Sequence, residues 1–572
     1  MRGAGTAAAV VLMALSLAAA LPAGAWAAPA GTGDAAFFPQ PLPFELWNVS
    51  ADGEEDEFPD LFPAGDSLGL VWSREFEDPT SYQLVVERMT RGSWSLESHP
   101  SLPEPDAEFN SSPRGLNLNA VGATFKGLVY VAWASNDPLY TSGANHDVLL
   151  RALDPATSTW GEVVSVTPGS TAEDRLPAIA VLGDRLVIAW VTNRGGAGGG
   201  DDDVVLRTYD GAAFSGVVDV STGDDGARDW APDIAVVGGR LGIAWERNNV
   251  TERVDDYDVM YAEWDGTAVT MPPSKVSTVP SRVDRSPEVG EVAGGPFVVW
   301  ESYPGPGGLG GPSILGRSMA AGGAPVPDVV NFTRSGASPM NVQPALVSAG
   351  GTAYVLWTTF DDALSHGSDA DIVMRSYDGT SLGAVVELSD PDDGNASDSH
   401  VTACTFKGNI YAAWTRVTGE GTDEPEFEVV CRRATSHVAD VRVISQDGPT
   451  EGENVTVEAH VRNFMGGAAQ DDSTMRLSVE LDGRLLTFGI FVQLEDGILT
   501  MDWPVEDGNY RFVVNEPQSS HSERGPEIGS GTVVVLPADD GTDGSESTAY
   551  IVVTLIALAA GAVGAYLALR KR

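Results

Sequence analysis

Along most of this chain apolar and polar residues alternate with the period of two that marks half-buried strands, and the 3.6-residue period of an amphipathic helix is almost absent. One alternating segment recurs seven times: a glycine turn, a short apolar run, then tryptophan. It reads GDSLGLVW to Trp72, GLVYVAW to Trp133, GDRLVIAW to Trp190, GGRLGIAW to Trp245, GGPFVVW to Trp300, GGTAYVLW to Trp357 and GNIYAAW to Trp414. Successive tryptophans lie 55 to 61 residues apart. Sixteen residues before each stands Asp or Asn: Asp56, Asn117, Asp174, Asp229, Asp284, Asn341 and Asp398.

A third strand follows each tryptophan after a loop of variable length, as in DVLLRALD, DVVLRTYDG and DIVMRSYDG, and a fourth ends on an apolar residue followed by Ser or Thr. Four short strands repeated in fixed register predict the blades of a β-propeller, seven of them over residues 44–434. The last copy lacks a fourth strand, whereas residues 44–50 (FELWNVS) carry that pattern ahead of the first. The N-terminal strand is therefore expected to complete the last blade and remove two open sheet edges. The tryptophans are expected to pack between blades. The Asp and Asn residues are expected to accept backbone hydrogen bonds in the turn entering each blade. The recurrent third-strand arginines Arg151, Arg207, Arg317, Arg375 and Arg432 are candidates to pair with them.

Residues 437–537 alternate differently (ADVRVIS, NVTVEAHVRN, TMRLSVELDG, GNYRFVVNE), which predicts an immunoglobulin-like β-sandwich. The two ends read as neither. Residues 1–27 combine Arg2, an apolar run and an Ala25-Trp26-Ala27 cleavage pattern, the signature of a signal peptide, with 28–43 as a linker. Residues 538–548 form an acidic linker, and 549–569 are 21 uncharged residues followed by the basic tail 570–572. That run predicts one C-terminal transmembrane helix with the tail in the cytoplasm and the bulk of the chain outside, at the cell surface. The expected fold class is thus all-β, a seven-bladed β-propeller plus a sandwich, with a signal peptide and one membrane helix.

Charge narrows the partners. A net charge of −47 argues against nucleic acid and favours basic or cationic ones. The long loops all fall on one propeller face, and they carry clustered carboxylates: Asp201, Asp202 and Asp203; Asp255, Asp256 and Asp258; Asp369 and Asp371. Oxygen donors at this density suit calcium, the one cofactor suggested. Six sequons, Asn48, Asn110, Asn249, Asn331, Asn395 and Asn454, are candidates for glycosylation. Cys404 and Cys431 fall on a first and a third strand with one strand between them, too far apart for a disulfide.

Gly65-Asp66-Ser67-Leu68-Gly69 matches the nucleophile elbow G-x-S-x-G, but it occupies a strand–strand turn where the elbow needs a strand–helix turn. The repeats over residues 44–434 resemble the sialidase-like propeller superfamily of exported prokaryotic proteins, although no Ser-x-Asp-x-Gly-x-x-Trp box is present and seven blades are counted where sialidases have six. No catalytic residue carries over from that resemblance. The run VADVRVISQDGPTEGENVTVEAHVRN and the segment MDWPVEDGNYRFVVNE resemble the CARDB family of surface proteins, which implies an adhesion-linked spacer. Together these imply a cell-surface binding, adhesion or scaffold protein, not an enzyme, that meets a glycan, a peptide or another surface protein. The alternative is a glycan-processing hydrolase or lyase that uses a pair of carboxylates lining the central channel.

Overall fold

A computed structural model describes residues 46–535, apart from 51–54, 77, 91–92, 99–115, 142–144, 194–200, 222–225, 249–256, 278–282, 305–309, 321–324, 334–338, 362–364, 366–368, 390–395, 420–424, 436–437, 445–453, 467, 470–473, 495–496 and 516–526. Every regular element among the described residues is a β-strand.

The expected membrane helix is thereby corrected. No helix among the described residues is long and apolar enough to cross a membrane. The segments 1–27, 28–43, 538–548, 549–569 and 570–572 lie outside the described residues. An apolar run shows only that a span there would be long enough. The regular elements of the described chain are strands, and no helix among them serves as an anchor. Attachment through a terminal helix, and the single-pass surface location built on it, are withdrawn.

Seven four-stranded units surround one axis. Their inner strands are Asp56–Ala64, Asn117–Phe125, Asp174–Leu182, Arg228–Val237, Val283–Val292, Asn341–Ala349 and Ser397–Phe406. Each packs on the inner strand of the next blade, and the seventh packs on the first. In the seventh blade Leu46–Asn48 pairs antiparallel with Glu426–Arg433, so the first described strand and the last of the propeller share one sheet. The seven tryptophans sit on the second strands and are at most 1% exposed. Burial on this scale, about 1.5–3 kcal/mol for each large side chain, is the main force holding blade to blade.

All seven inner strands break register at the same place, between the residues fifteen and twelve before the tryptophan. Within each break the residue fourteen before the tryptophan takes left-handed φ: Phe58 57°, Asn119 55°, Leu176 52°, Ala231 47°, Ser286 50°, Gln343 54° and His400 56°. Such bulges bend a strand and re-aim its side chains, and here they sit near the long-loop end of the channel. Left-handed φ strains any residue with a Cβ. Ala231→Gly should therefore raise the melting temperature, by the equivalent of roughly 0.5–1 kcal/mol once the entropy cost of glycine is deducted. An unchanged or lower melting temperature would show that the bulge is not strained.

Residues 438–535 form the second unit. A three-stranded sheet (Val438–Ile444, Asn454–Arg462, Ile498–Pro504) faces a four-stranded one (Arg484–Gln493, Thr474–Leu481, Gly508–Asn515, Glu527–Val535) across a core that includes Val455, Val457, Leu477 and Phe512. This sandwich seats on the short-turn face of the propeller. Met465 N donates to Gly408 O at 3.1 Å, Phe464 N donates to Asn409 Oδ1 at 3.2 Å, and the Phe464 ring meets Tyr354 edge-on at 5.5 Å. The channel mouth on the long-loop face stays clear of these contacts.

Candidate active site at the channel mouth

The bulge residues form the rim of the mouth and divide it. Over blades 1, 6 and 7 they are large and packed together. The Phe58 and His400 rings meet edge-on at 4.6 Å, His400 Nε2 lies 2.8 Å from Gln343 Nε2, and His400 N donates to Gln343 Oε1 at 3.1 Å. Burial pushes the His400 imidazole down to about 4, so it is neutral at physiological pH. Over blades 4 and 5 the rim residues are Ala231 and Ser286, whose side chains are small.

Two glutamates stand immediately after Trp245 and Trp300 on the second strands of these blades. Glu246 Oε1 accepts from Ser286 N at 2.8 Å, and Glu301 Oε2 accepts from Gln343 N at 3.0 Å, so each reaches the bulge of the following blade. Arg285 stacks on the Tyr257 ring at 4.2 Å, and its buried Nε has no hydrogen-bond partner among the described residues. The Tyr303 hydroxyl donates to Glu301 Oε1 at 3.4 Å. Burial pushes Glu246 up to about 7; the Ser286 amide and Arg285 oppose the rise, and the Glu301 charge adds to it. Burial also raises Glu301. Burial and the Glu301 charge raise the Tyr303 phenol, which therefore stays protonated.

A second level lies one bulge deeper, twelve residues before each tryptophan, where Asp60, Val121, Ala178, Asp233, Glu288, Ala345 and Thr402 stand in register. Three of these tie neighbouring inner strands. Asp60 Oδ2 accepts from Gly122 N (2.8 Å), Asp233 Oδ2 from Val289 N (2.7 Å) and Thr402 Oγ1 from Leu61 N (3.3 Å). Glu288 has no hydrogen-bond partner among the described residues. Protein surrounds these carboxyls on all sides but the lumen. That desolvation pushes Asp60 and Asp233 up to about 6, and it pushes Glu288 well above the usual range with the charges of Asp233 and Asp60 adding.

These raised values set a direction for stability. A carboxyl with a higher pKa folded than unfolded favours the folded state most below its unfolded pKa, and this contribution is lost as pH rises through the folded pKa. Stability should therefore increase as pH falls from 8 toward 5, through the titration of Asp60, Asp233 and Glu246. Near pH 4 and below, the lowered carboxyls Asp210, Asp265 and Asp482 act in the opposite sense. Thermal unfolding should show a maximum near pH 5, and Asp233→Asn should flatten the rise while still accepting from Val289. A melting temperature flat from pH 8 to 5 would contradict the assigned burial.

Other residues singled out by sequence are dispersed. Asp202 takes Arg175 Nη2 at 3.2 Å and Asn193 Nδ2 at 3.1 Å, Asp203 takes Ser221 Oγ at 3.3 Å, Asp258 takes Lys275 Nζ at 2.6 Å, and Asp371 takes Ser389 Oγ at 3.0 Å. Asp201 is 8% exposed, and Asp255 and Asp256 lie outside the described residues. Among the described residues no group of three His, Cys, Asp or Glu side chains is placed to hold a metal ion. Of the sequons, Asn48 and Asn454 are exposed, Asn331 is half-buried with its Oδ1 accepting from Thr333, and Asn110, Asn249 and Asn395 lie outside the described residues. Both cysteines are free and buried. Ser67 donates to Ala64 O at 2.9 Å within its hairpin.

The Asp/Asn ring accepts from the indoles, not from turn backbone as expected. Trp Nε1 donates to Oδ1 of Asp56, Asn117, Asp174, Asp229, Asp284 and Asn341 at 2.6–3.1 Å. In the seventh blade Asp398 accepts two bonds of 2.9 Å from Arg416. Four of the five third-strand arginines instead reach carbonyls that close the preceding blade, Arg207 to Val166, Arg317 to Val276, Arg375 to Phe332 and Arg432 to Leu388, and Arg151 donates to Gly161 O of its own blade at 2.7 Å. Sequence reasoning missed Glu246, Glu301 and Arg285. Aligning the repeats one residue past the tryptophan would have found the glutamates, because the other five copies carry Ser73, Ala134, Val191, Thr358 and Thr415 there.

The fold and the site together define a closed β-propeller whose mouth holds two buried glutamic acids beside an arginine and a neutral phenol. No family model matches the chain, and no curated protein matches it. Among solved structures it is similar to an α-L-arabinanase of Penicillium chrysogenum in complex with arabinobiose (12% identity, 69% of this chain and 97% of that one, TM-score 0.39). It is also similar to the polysaccharide lyase Uly1 (11%, 67% and 90%, 0.43) and to a mutant Trypanosoma rangeli sialidase with trans-sialidase activity (10%, 78% and 88%, 0.36). These are distant likenesses to propeller enzymes that act on carbohydrates. The expectation that this chain is not an enzyme is corrected by the mouth itself, which groups Glu246, Glu301, Arg285 and Tyr303 and pushes both glutamic acids up by burial.

Proposed function

We propose that the protein is a glycan-processing hydrolase or lyase acting at the channel mouth over blades 4 and 5. The observation that carries this reading is the Glu246–Arg285–Glu301 constellation. Glu246, protonated in part near neutral pH, donates a proton to the leaving glycosidic oxygen. Glu301 is the second carboxylate, acting on water or on a substrate carbon acid. The positive charge of Arg285 acts on both carboxyls and favours their ionised forms. Tyr303, held neutral, orients Glu301 and is not the nucleophile. The sandwich, seated on the opposite face and resembling the adhesion-linked CARDB family, serves as a spacer that leaves the mouth free.

The test is turnover of a polysaccharide panel by the full chain. New reducing ends without unsaturated products identify a hydrolase, and unsaturated ends identify a lyase. Capture of a glycan without turnover would overturn the proposal, as would full activity in both Glu246→Gln and Glu301→Gln.

A further inference from the structure

Immediately before the bulge residue, fifteen positions ahead of each tryptophan, the inner strands carry Glu57, Leu118, Arg175, Trp230, Arg285, Val342 and Ser399. Trp230 is the one aromatic residue of this level. It pairs with Glu246 across the ladder of blade 4, as Arg285 pairs with Glu301 in blade 5. Directly opposed residues of an antiparallel pair hold their side chains next to each other on one face. Glu246 reaches Ser286 N of blade 5, so the half-buried Trp230 is turned toward blade 5 as well. From blade 3, Arg175 lays its guanidinium 4.0 Å from the centre of the Trp230 ring. Arg175 is itself held, with Nη2 3.2 Å from Asp202 Oδ1 and Nη1 3.9 Å from Glu173 Oε1. The indole is thus fixed from the side of blade 3 and presented beside the acid on the side of blade 5.

We infer, resting on the acid role of Glu246, that Trp230 is the platform for a neutral pyranose ring, the one whose glycosidic oxygen Glu246 protonates. A pyranose carries C–H groups on one face, and that apolar face packs on an aromatic ring while the hydroxyls stay in water. Position assigns the ring. Trp230 belongs to the blade of the acid and Glu301 to the next, so the sugar on Trp230 is the leaving one and the sugar under attack lies over blade 5. Charge assigns the class. Among the described residues Arg175 is met by Asp202 and Glu173, and Arg285 by Glu246 and Glu301. Neither arginine is left over for a sugar carboxylate, and the net charge of −47 repels one.

The experiment is calorimetric titration of the full chain with cellotetraose, xylotetraose and mannotetraose, and with tetragalacturonate as the charged counterpart. At least one neutral tetramer should bind, about tenfold or more tightly than tetragalacturonate, a difference of about 1.4 kcal/mol. Trp230→Leu copies Leu118 of blade 2 and keeps apolar bulk, yet it should weaken that binding about tenfold. Trp230→Phe keeps an aromatic face and should stay within about threefold of the wild type. Failure of all three neutral tetramers to bind, tetragalacturonate binding as tightly, or equal binding by both variants would each overturn the platform. If Trp230→Leu does not fold, Trp230→Arg, which copies blades 3 and 5, takes its place. Binding that is lost in Trp230→Leu, without turnover by the wild type, would support the platform and overturn the enzymatic reading. Turnover with undiminished binding by Trp230→Leu would overturn the platform alone.

Discussion

Glu246→Gln should lower kcat by about 10²–10⁴-fold, the range that a positioned general acid supplies, while the protein stays folded. The amide oxygen of glutamine can still accept from Ser286 N, now 2.8 Å from Glu246, and the change removes a buried ionisable group. The pH profile separates the catalytic role from a structural one. With an acid near 7, wild-type turnover should fall as pH rises past that value, because the proton to be donated is lost. The variant should lose this limb altogether and keep a flat residual rate. Glu301→Gln should also lose kcat but retain the limb, since Glu246 is still present, shifted to lower pH because the Glu301 charge that helps to raise Glu246 is gone. A Glu246→Gln enzyme with normal kcat and an unchanged limb would reduce Glu246 to a cap on the blade 5 bulge.

The largest loss of stability is expected from the tryptophan ring. Trp357→Ala removes a side chain that is 0% exposed and leaves the Asn341 carbonyl without its 2.9 Å indole donor. Large-to-small changes of this kind cost about 3–5 kcal/mol, and the lost donor adds to the cavity. Trp357→Phe keeps most of the volume and loses the N–H, so it should cost about 1–3 kcal/mol. Leu139→Ala, at a side chain 55% exposed, should stay within about 0.5 kcal/mol. Because every blade packs on two neighbours, the Trp357 variants should lower the whole propeller transition in a thermal scan and not release one blade. A separate early transition for blade 6 alone would show that the ring does not unfold as a unit.

Within the chain the two classes of carboxylate make the limits of one-dimensional reading concrete. Asp201, Asp202 and Asp203 are adjacent in sequence and looked like one site, yet alternation along the backbone sends them apart: Asp202 to Arg175 and Asn193, Asp203 to Ser221. Asp60, Asp233 and Glu288 are scattered over more than two hundred residues, yet they meet at one level of the lumen. Each stands twelve residues before its tryptophan, and the ring turns an equal register into an equal height.

What the sequence determined by itself is the strand content, the sevenfold repeat and the spacing of Trp to Asp or Asn. Period-two alternation and repeat register are properties of the chain taken a few dozen residues at a time. Only the tertiary structure decided which acids are chemically unusual. Glu246 and Glu301 follow their tryptophans in plain view, but a carboxyl is pushed toward neutrality by loss of water. That loss arises only when the bulge of the next blade closes over it and the ring brings Arg285 and Tyr303 to its side.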